Sequence, residues 1–307
     1  MYLYSFHITK KISRVVSLLF LIFVSFSLQA TSLSEIQSRK KIVVGVFIDP
    51  TEFSPDGSPV PILPTVKMEL ALAADLAQHL GVALETVDLN LADREAALRG
   101  GKVDILIASM SDTRSRQERM LHVLPSYYES GVNIITRRNN KKIRTWANLH
   151  NRRLCSQRGG FYNRVISHEF GVDVIAVHHN SLAIEALLDG RCIAIVYDET
   201  TVRSMLKEKN WADEYHMPLQ TIHHTPWSIF IKKDLKNSPL ETYLSDTLVR
   251  WHRTGLIIKL EKQFDLYPSP FAERMYVLWN KKVNGRYYCG ETINARTPTE
   301  CLGQVRN

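Results

Sequence analysis

Apolar residues along the chain fall into two alternating patterns. Lys41–Phe47 (KIVVGVF) is a β-branched run without polar alternation, the pattern of a strand buried on both faces. Over 66–80 apolar residues return at helical spacing, and Gly81 follows as a C-cap. Residues 82–87 predict a strand, and 94–98 a short helix closed by Gly100 and Gly101. Residues 103–108 (VDILIA) predict another buried strand. Strand, helix, strand, helix, strand implies a parallel α/β sheet with right-handed crossovers. A Pro-rich loop, 49–64, separates the first strand from the first helix.

The same pattern restarts after the apolar stretch 132–135 and a basic run, 137–142. Strands are predicted at 153–156, 172–177 and 193–197. Helices are predicted at 161–170, ending at Gly171, and at 182–188, ending at Asp189 and Gly190. Residues 227–231 read as a strand that returns from the second unit. Two strands crossing near 132–136 and 227–231 predict a double hinge between two α/β lobes, with a cleft that closes on a ligand. The division is 31–135 for the first lobe, 136–226 for the second, 227–266 for the return and 267–307 for a C-terminal extension.

Residues 1–30 read as a secretory signal. Lys10, Lys11 and Arg14 precede an uncharged apolar run, 15–28 (VVSLLFLIFVSFSL), and Ala30 offers a small residue for cleavage. The run is shorter than the roughly 20 residues that span a bilayer. Export places the mature protein in the periplasm.

The 307-residue length fits two domains, and 45% hydrophobic with 23% charged residues is the composition of a folded chain. The net charge of +8 falls to +5 without residues 1–30, which hold three positive charges and no acid. The basic residues are dispersed, with no aromatic-interleaved stripe, so a nucleic-acid partner is not expected. Four cysteines meet an oxidising compartment. Cys289 and Cys301 lie in a polar tail, where a local disulfide is expected. Cys155 and Cys192 adjoin apolar strands and either pair or stay as small buried hydrophobes. The pairs His178-His179 and His223-His224 lack the i, i+4 spacing of a helical zinc site, so no metal is expected, and no cofactor is implied.

The densest chemical signal is VDILIASMSDTRSR, from Val103 to Arg116. Ser109 and Ser111 stand at the carboxyl end of a strand, where open α/β sheets bind ligands. A helix start near Thr113 favours an anion, and the Arg116 guanidinium is suited to gripping a carboxylate through two parallel bonds.

Six segments in order carry a resemblance: IVVGV, DLAQHLGV, LRGGKVDILIASMSDTRSR, LPSYYESGVNII, LLDGRCIAIVYDE and RTGLIIKLEKQF. Over about 41–264 the chain resembles family 3 of the bacterial periplasmic solute-binding proteins, the amino-acid-binding subunits of ABC importers. The resemblance implies a two-lobed Venus-flytrap fold, an amino acid or similar polar solute as ligand, and an inner-membrane ABC permease as partner. It implies that Arg116 clamps the ligand's α-carboxylate, that Ser109 and Ser111 add hydroxyl or backbone contacts, and that Asp198 takes the α-ammonium. Basic-amino-acid binders of the family place an acid and an aromatic in the first loop of lobe one; the matching positions here are Phe47 and Pro50, with Asp49, Glu52 and Phe53 near, and Arg94 stands where some acidic-amino-acid binders carry Arg. Gly160 and Phe161 replace a Thr or Ser pair, leaving backbone N–H groups to face the ligand. Ala71 replaces the acid of the family's first helix. The competing readings are a periplasmic enzyme on this scaffold, resembling prephenate or cyclohexadienyl dehydratases with Glu52, Glu129 and the histidines as candidate groups, and an accessory module of a periplasmic redox enzyme.

Overall fold

The structure, a computed structural model, describes residues 32–48 and 62–304. The expected export segment and the loop residues Asp49, Pro50, Glu52 and Phe53 lie outside the described residues. Among the described residues no helix is long and apolar enough to cross a membrane.

Helix α1 (Leu33–Ser38) starts at a capping box of Ser32 and Glu35 and leads into β1 (Lys41–Phe47). Helix α2 (Pro64–Leu80) begins on a proline and ends at Gly81, whose φ of 72° turns the chain back into β2 (Ala83–Leu89). Helix α3 (Arg94–Arg99) and strand β3 (Ile105–Leu106) complete this unit, and β1 pairs in parallel with both β2 and β3. Strand β3 is shorter than the predicted 103–108. At one end the Asp104 carboxylate accepts from the Val43 N–H (2.7 Å). At the other Ser109 leaves the strand in the left-handed region (φ 47°).

A single turn, α4 (Arg114–Gln117), precedes the 18-residue β4 (Met120–Arg137). The second lobe then follows as β5 (Arg153–Gln157), α5 (Tyr162–Phe170), β6 (Asp173–Val177), α6 (Asn180–Leu188) and β7 (Ala194–Asp198). Strand β5 is parallel to β6 and β7. Helices α7 (Glu199–Met205) and α8 (Lys209–Glu214) and the short β8 (Tyr215–His216) lead to β9 (Ile222–Lys232). Helices α9 (Pro239–Thr254) and α10 (Leu256–Gln263) pack against the first lobe, and α11 (Pro270–Asn280) belongs to the extension.

Nine of the described strands form one sheet in the order β2-β1-β3-β9-β4-β7-β5-β6, with β8 on β4, and Lys282–Val283 pairs with Arg286–Tyr287 as a separate hairpin. The sheet's two wings are parallel, as the β-branched runs imply, and β4 and β9 are antiparallel at its centre. The hinge differs from two short crossings. The strands form one ladder from Met120–Lys232 to Val132–Ile222, with register shifts between Val123 and Tyr128 and between Ser130 and Val132. The second slip interrupts the pairing where the ribbon leaves the first-lobe core. Gly131 sits at the second slip, where a Cβ would come 2.3 Å from Thr221 and 2.9 Å from the Ile222 carbonyl.

Each lobe has its own apolar core, and the second core extends to Phe47, Leu63 and Ala108 of the first lobe. Phe47 is therefore buried at the seam. Disulfides join Cys155 to Cys192 and Cys289 to Cys301, so the alternative left open for Cys155 and Cys192 resolves as a bridge. In the extension Phe271, Met275, Trp279 and the second disulfide form a small core on Val249 of α9. Tyr267 reaches the second lobe, with Arg203 4.7 Å and Lys207 5.5 Å from its ring centre, and Lys207 is also 2.8 Å from Asp265.

The Cys289–Cys301 bridge closes a 12-residue separation. Replacing both cysteines by Ala should destabilise the extension by about 3 kcal/mol in the chain-entropy account of a loop of this size. Hydrogen exchange should show faster amides over 281–304 and an unchanged sheet. Peptide maps without reductant that find both thiols free would contradict the bridge.

Candidate functional site

Helix α2 presents an apolar stripe of Val66, Leu72, Ala73, Leu76 and Ala77, and Glu69 lies on that stripe, fully buried. Its Oε1 accepts from the Ser109 N–H (2.6 Å), the Ser109 hydroxyl (3.0 Å) and the Tyr127 hydroxyl (2.5 Å). These bonds hold the strand end in its left-handed turn. Glu69 Oε2 is buried without a hydrogen-bond partner. Burial pushes the Glu69 carboxyl up to about 7, against the opposing effect of its three hydrogen bonds and of Arg94. The first helix thus carries an internal acid at position 69, two residues before Ala71. Sequence reasoning missed it, although a charge three residues from Val66 and Leu72 on an apolar face was the available signal.

Arg94 is 2% exposed and is held by main-chain carbonyls. Nε donates to Leu91 O (3.2 Å), and Nη1 donates to Ala108 O (2.5 Å) and Ser109 O (3.1 Å). The polypeptide therefore positions the guanidinium beneath the Ser109 turn. Its charge acts on Glu69 in its own lobe and on Tyr162, Tyr197 and Asp198 across the cleft.

Past Ser109 the chain is tied to β9. Ser111 forms a bridge with Trp227, and the Asp112 N–H donates to Pro226 O (2.7 Å). Arg116, in α4, is also buried. Nη1 donates to Ser111 O (2.8 Å) and Nη2 crosses to Gly159 O of the second lobe (3.1 Å). These bonds use two of the five guanidinium N–H donors. Burial, with Arg94 nearby, pulls Arg116 down to about 9, still cationic at neutral pH. The predicted anion site at a helix end is corrected in one respect. Helix α4 is only four residues long and its Thr113 makes no side-chain cap bond, so Arg116, rather than a helix dipole, carries the positive charge.

Asp198 ends β7 and opens α7, but its side chain makes no capping bond. It is 6% exposed and Oδ1 has no hydrogen-bond partner. Burial raises the carboxyl to about 7, opposed by Arg94 and Arg116. Tyr162, the first residue of α5, is fully buried beside it, and its ring fills the space above Gly160. Sequence reasoning did not single out Tyr162.

The expected residues thus converge from both lobes. Ser109, Ser111, Arg94 and Arg116 stand on one side, Gly160, Phe161 and Asp198 on the other, with Phe47 at the seam. The Ser109 hydroxyl is committed as a donor to Glu69, so towards a ligand it has only lone pairs to give. A groove of ≈ 580 Å³ runs between the lobes past Thr113 and Arg116 on one wall and Gly159, Gly160 and Phe161 on the other. The remaining candidates are engaged elsewhere. His223 pairs with Glu169 (2.7 Å), His224 with Glu129 (3.5 Å), and His178 meets Asn90 (3.3 Å).

The chain and its fold resemble known proteins. A probable histidine-binding protein of Campylobacter jejuni is 26% identical over 137 residues, 45% of this chain and 53% of that protein. The chain thus spans about half the length of the curated relative it matches. A variant of ArgBP from T. maritima superposes with a TM-score of 0.64 at 22% identity, covering 76% of this chain and 98% of that one. An arginine-bound substrate-binding protein of an amino acid ABC transporter from Streptococcus pneumoniae gives 0.64 at 20% identity, over 75% and 97%. An ancestral amino-acid-binding protein, described as a precursor of cyclohexadienyl dehydratase, gives 0.63 at 23% identity, over 76% and 98%. Residues 50–266 match the description of one family along most of the chain, and the protein belongs to the bacterial extracellular solute-binding proteins, family 3.

Proposed function

We propose that the protein captures an amino acid in the cleft between its lobes and delivers it, in the periplasm, to an inner-membrane ABC permease. The single observation that carries this reading is the pair of buried, incompletely bonded charges on opposite lobes. Arg116 retains unused N–H donors, and Asp198 Oδ1 retains an unused acceptor. A zwitterion completes both: its carboxylate takes the guanidinium and its ammonium takes the aspartate. Ser109 Oγ supplies a lone pair to the same ammonium, and the Ser111 turn and the N–H groups at Gly160 and Phe161 border the carboxylate. Arg94 sets the positive potential beneath them. The match of these two charges to a zwitterion favours a binding protein over a dehydratase or a redox accessory. The lobes follow the division 31–135 with 227–266, and 136–226, and 267–307 is an addition to the first lobe.

Calorimetry with a ligand found by a thermal-shift screen of the twenty L-amino acids tests the clamp. Arg116→Ala leaves a desolvated carboxylate unpaired and should weaken binding by about 2–5 kcal/mol, roughly 30- to several-thousand-fold. Asp198→Asn should weaken it as well with little change in the ligand-free melting temperature, whereas Arg116→Ala should also lower that temperature by losing its bonds to Ser111 O and Gly159 O. Undiminished affinity in Arg116→Ala overturns the clamp.

Asp198 also sets a pH dependence. Only its ionised form pairs with an ammonium, and its ligand-free carboxyl titrates near 7. As pH falls through that value, binding must first expel a proton, so affinity drops by up to tenfold per unit. Between pH 8 and pH 5.5 the Kd should rise by about 30-fold. In Asp198→Asn the profile over this range should flatten.

A further inference from the structure

The Tyr162 side chain is fully buried, yet its hydroxyl has no hydrogen-bond partner. The neighbouring Ser156 hydroxyl donates to Asn163 Oδ1 (2.5 Å) and acts on the phenol from nearby, but outside hydrogen-bonding geometry. Native proteins rarely leave a buried hydroxyl so, and an orphan at a cleft indicates a missing partner. The ring is firmly placed, with Phe161 edge-on at 5.6 Å and Tyr197 at 5.9 Å between centroids. A Cβ on Gly160 would come within 2.5 Å of the ring and 2.8 Å of its hydroxyl oxygen. Glycine at 160 is thus the vacancy that the Tyr162 ring occupies. Where Gly160 and Phe161 bring no hydroxyl to the second lobe, Tyr162 brings one.

The charges around that hydroxyl define what it can bind. Asp198 of its own lobe and Arg94 and Arg116 of the other all act on it. Burial first, and then Asp198, hold the phenol well above its ordinary pKa, so it remains a donor at every physiological pH. A donor beside two guanidinium groups is matched to an anion, and the ammonium has its acceptor in Asp198. We propose that Tyr162 is a ligand-reading residue, whose hydroxyl donates to the carboxylate of the bound solute from the second lobe while Arg116 grips the same carboxylate from the first. The contact rests on the reading of the cleft as an amino-acid site. It forms only when the lobes are closed, so it couples recognition of the carboxylate to closure.

Tyr162→Phe removes one oxygen and keeps the ring over Gly160. Two measurements on the mature full chain decide the assignment: the ligand-free melting temperature, and the Kd for an amino acid from the twenty-member screen alongside its carboxamide. The expected result is an unchanged or higher melting temperature, since an unpaired buried polar atom is lost, with the amino acid bound about 10- to 100-fold more weakly. The carboxamide, already weak on wild type, should be affected less. An affinity within about twofold of wild type overturns the assignment. So does a lower ligand-free melting temperature, which would mean that the hydroxyl is bonded inside the protein, to Ser156 or Asp198. If no amino acid binds wild type, the proposed ligand class fails separately. The melts then decide: a rise for Tyr162→Phe retains the phenol as an open donor, and a fall removes it.

Discussion

Two buried guanidinium groups on one lobe face a buried carboxylate on the other across a gap that the protein does not close itself. Ion pairs in a protein interior are stable only when geometry and accessory hydrogen bonds repay desolvation. Here the repayment is partial. Main-chain carbonyls of residues 91, 108, 109, 111 and 159 hold the arginines in place, and three donors hold Glu69 Oε1, although Glu69 Oε2 is left without a partner. Asp198 Oδ1 and the Tyr162 hydroxyl have nothing equivalent. The local architecture follows from this imbalance. The left-handed Ser109, the bridge of Ser111 to Trp227 and the buried acid on α2 all serve to hold charges without neutralising them.

The sheet makes that separation possible. Because β4 and β9 continue from one wing to the other, the lobes share backbone hydrogen bonds and their relative orientation is set by the twist of a two-stranded ribbon. The register slip between Val123 and Tyr128 lies within the first-lobe core, and the one between Ser130 and Val132 interrupts the pairing where the ribbon leaves that core. The crowding at Gly131 shows how closely the strands approach there.

Much of this was legible in the sequence. The β-branched runs at 41–47 and 193–197 and the glycine stops at 81 and 171 give the two wings because strand burial and helix termination are local properties. Ser109, Ser111 and Arg116 stood out because open α/β sheets bind ligands beyond their strand ends, and Asp198 through the family resemblance; the structure places all four where the lobes meet. Glu69 and Tyr162 were not found, for different reasons. Glu69 is identifiable only once the helix face it lies on is known to be the inner one. Tyr162 depends on a space: its ring matters because residue 160 has no side chain, and a vacancy two positions away has no signature in hydrophobic patterning. The continuous β4–β9 ladder was likewise missed, since pairing between residues some hundred positions apart leaves no periodic trace.

The extension adds a constraint of a different kind. Tyr267 stacks against Arg203 and Lys207, and Lys207 also pairs with Asp265, all at the protein surface and all between the lobes. Parting the lobes on that side means parting these contacts. The ion pair is screened by dissolved salt, whereas the apolar component of the aromatic contact is not. The ease of opening therefore varies with ionic strength, even though Arg94, Arg116 and Asp198 are buried too deep for salt to screen.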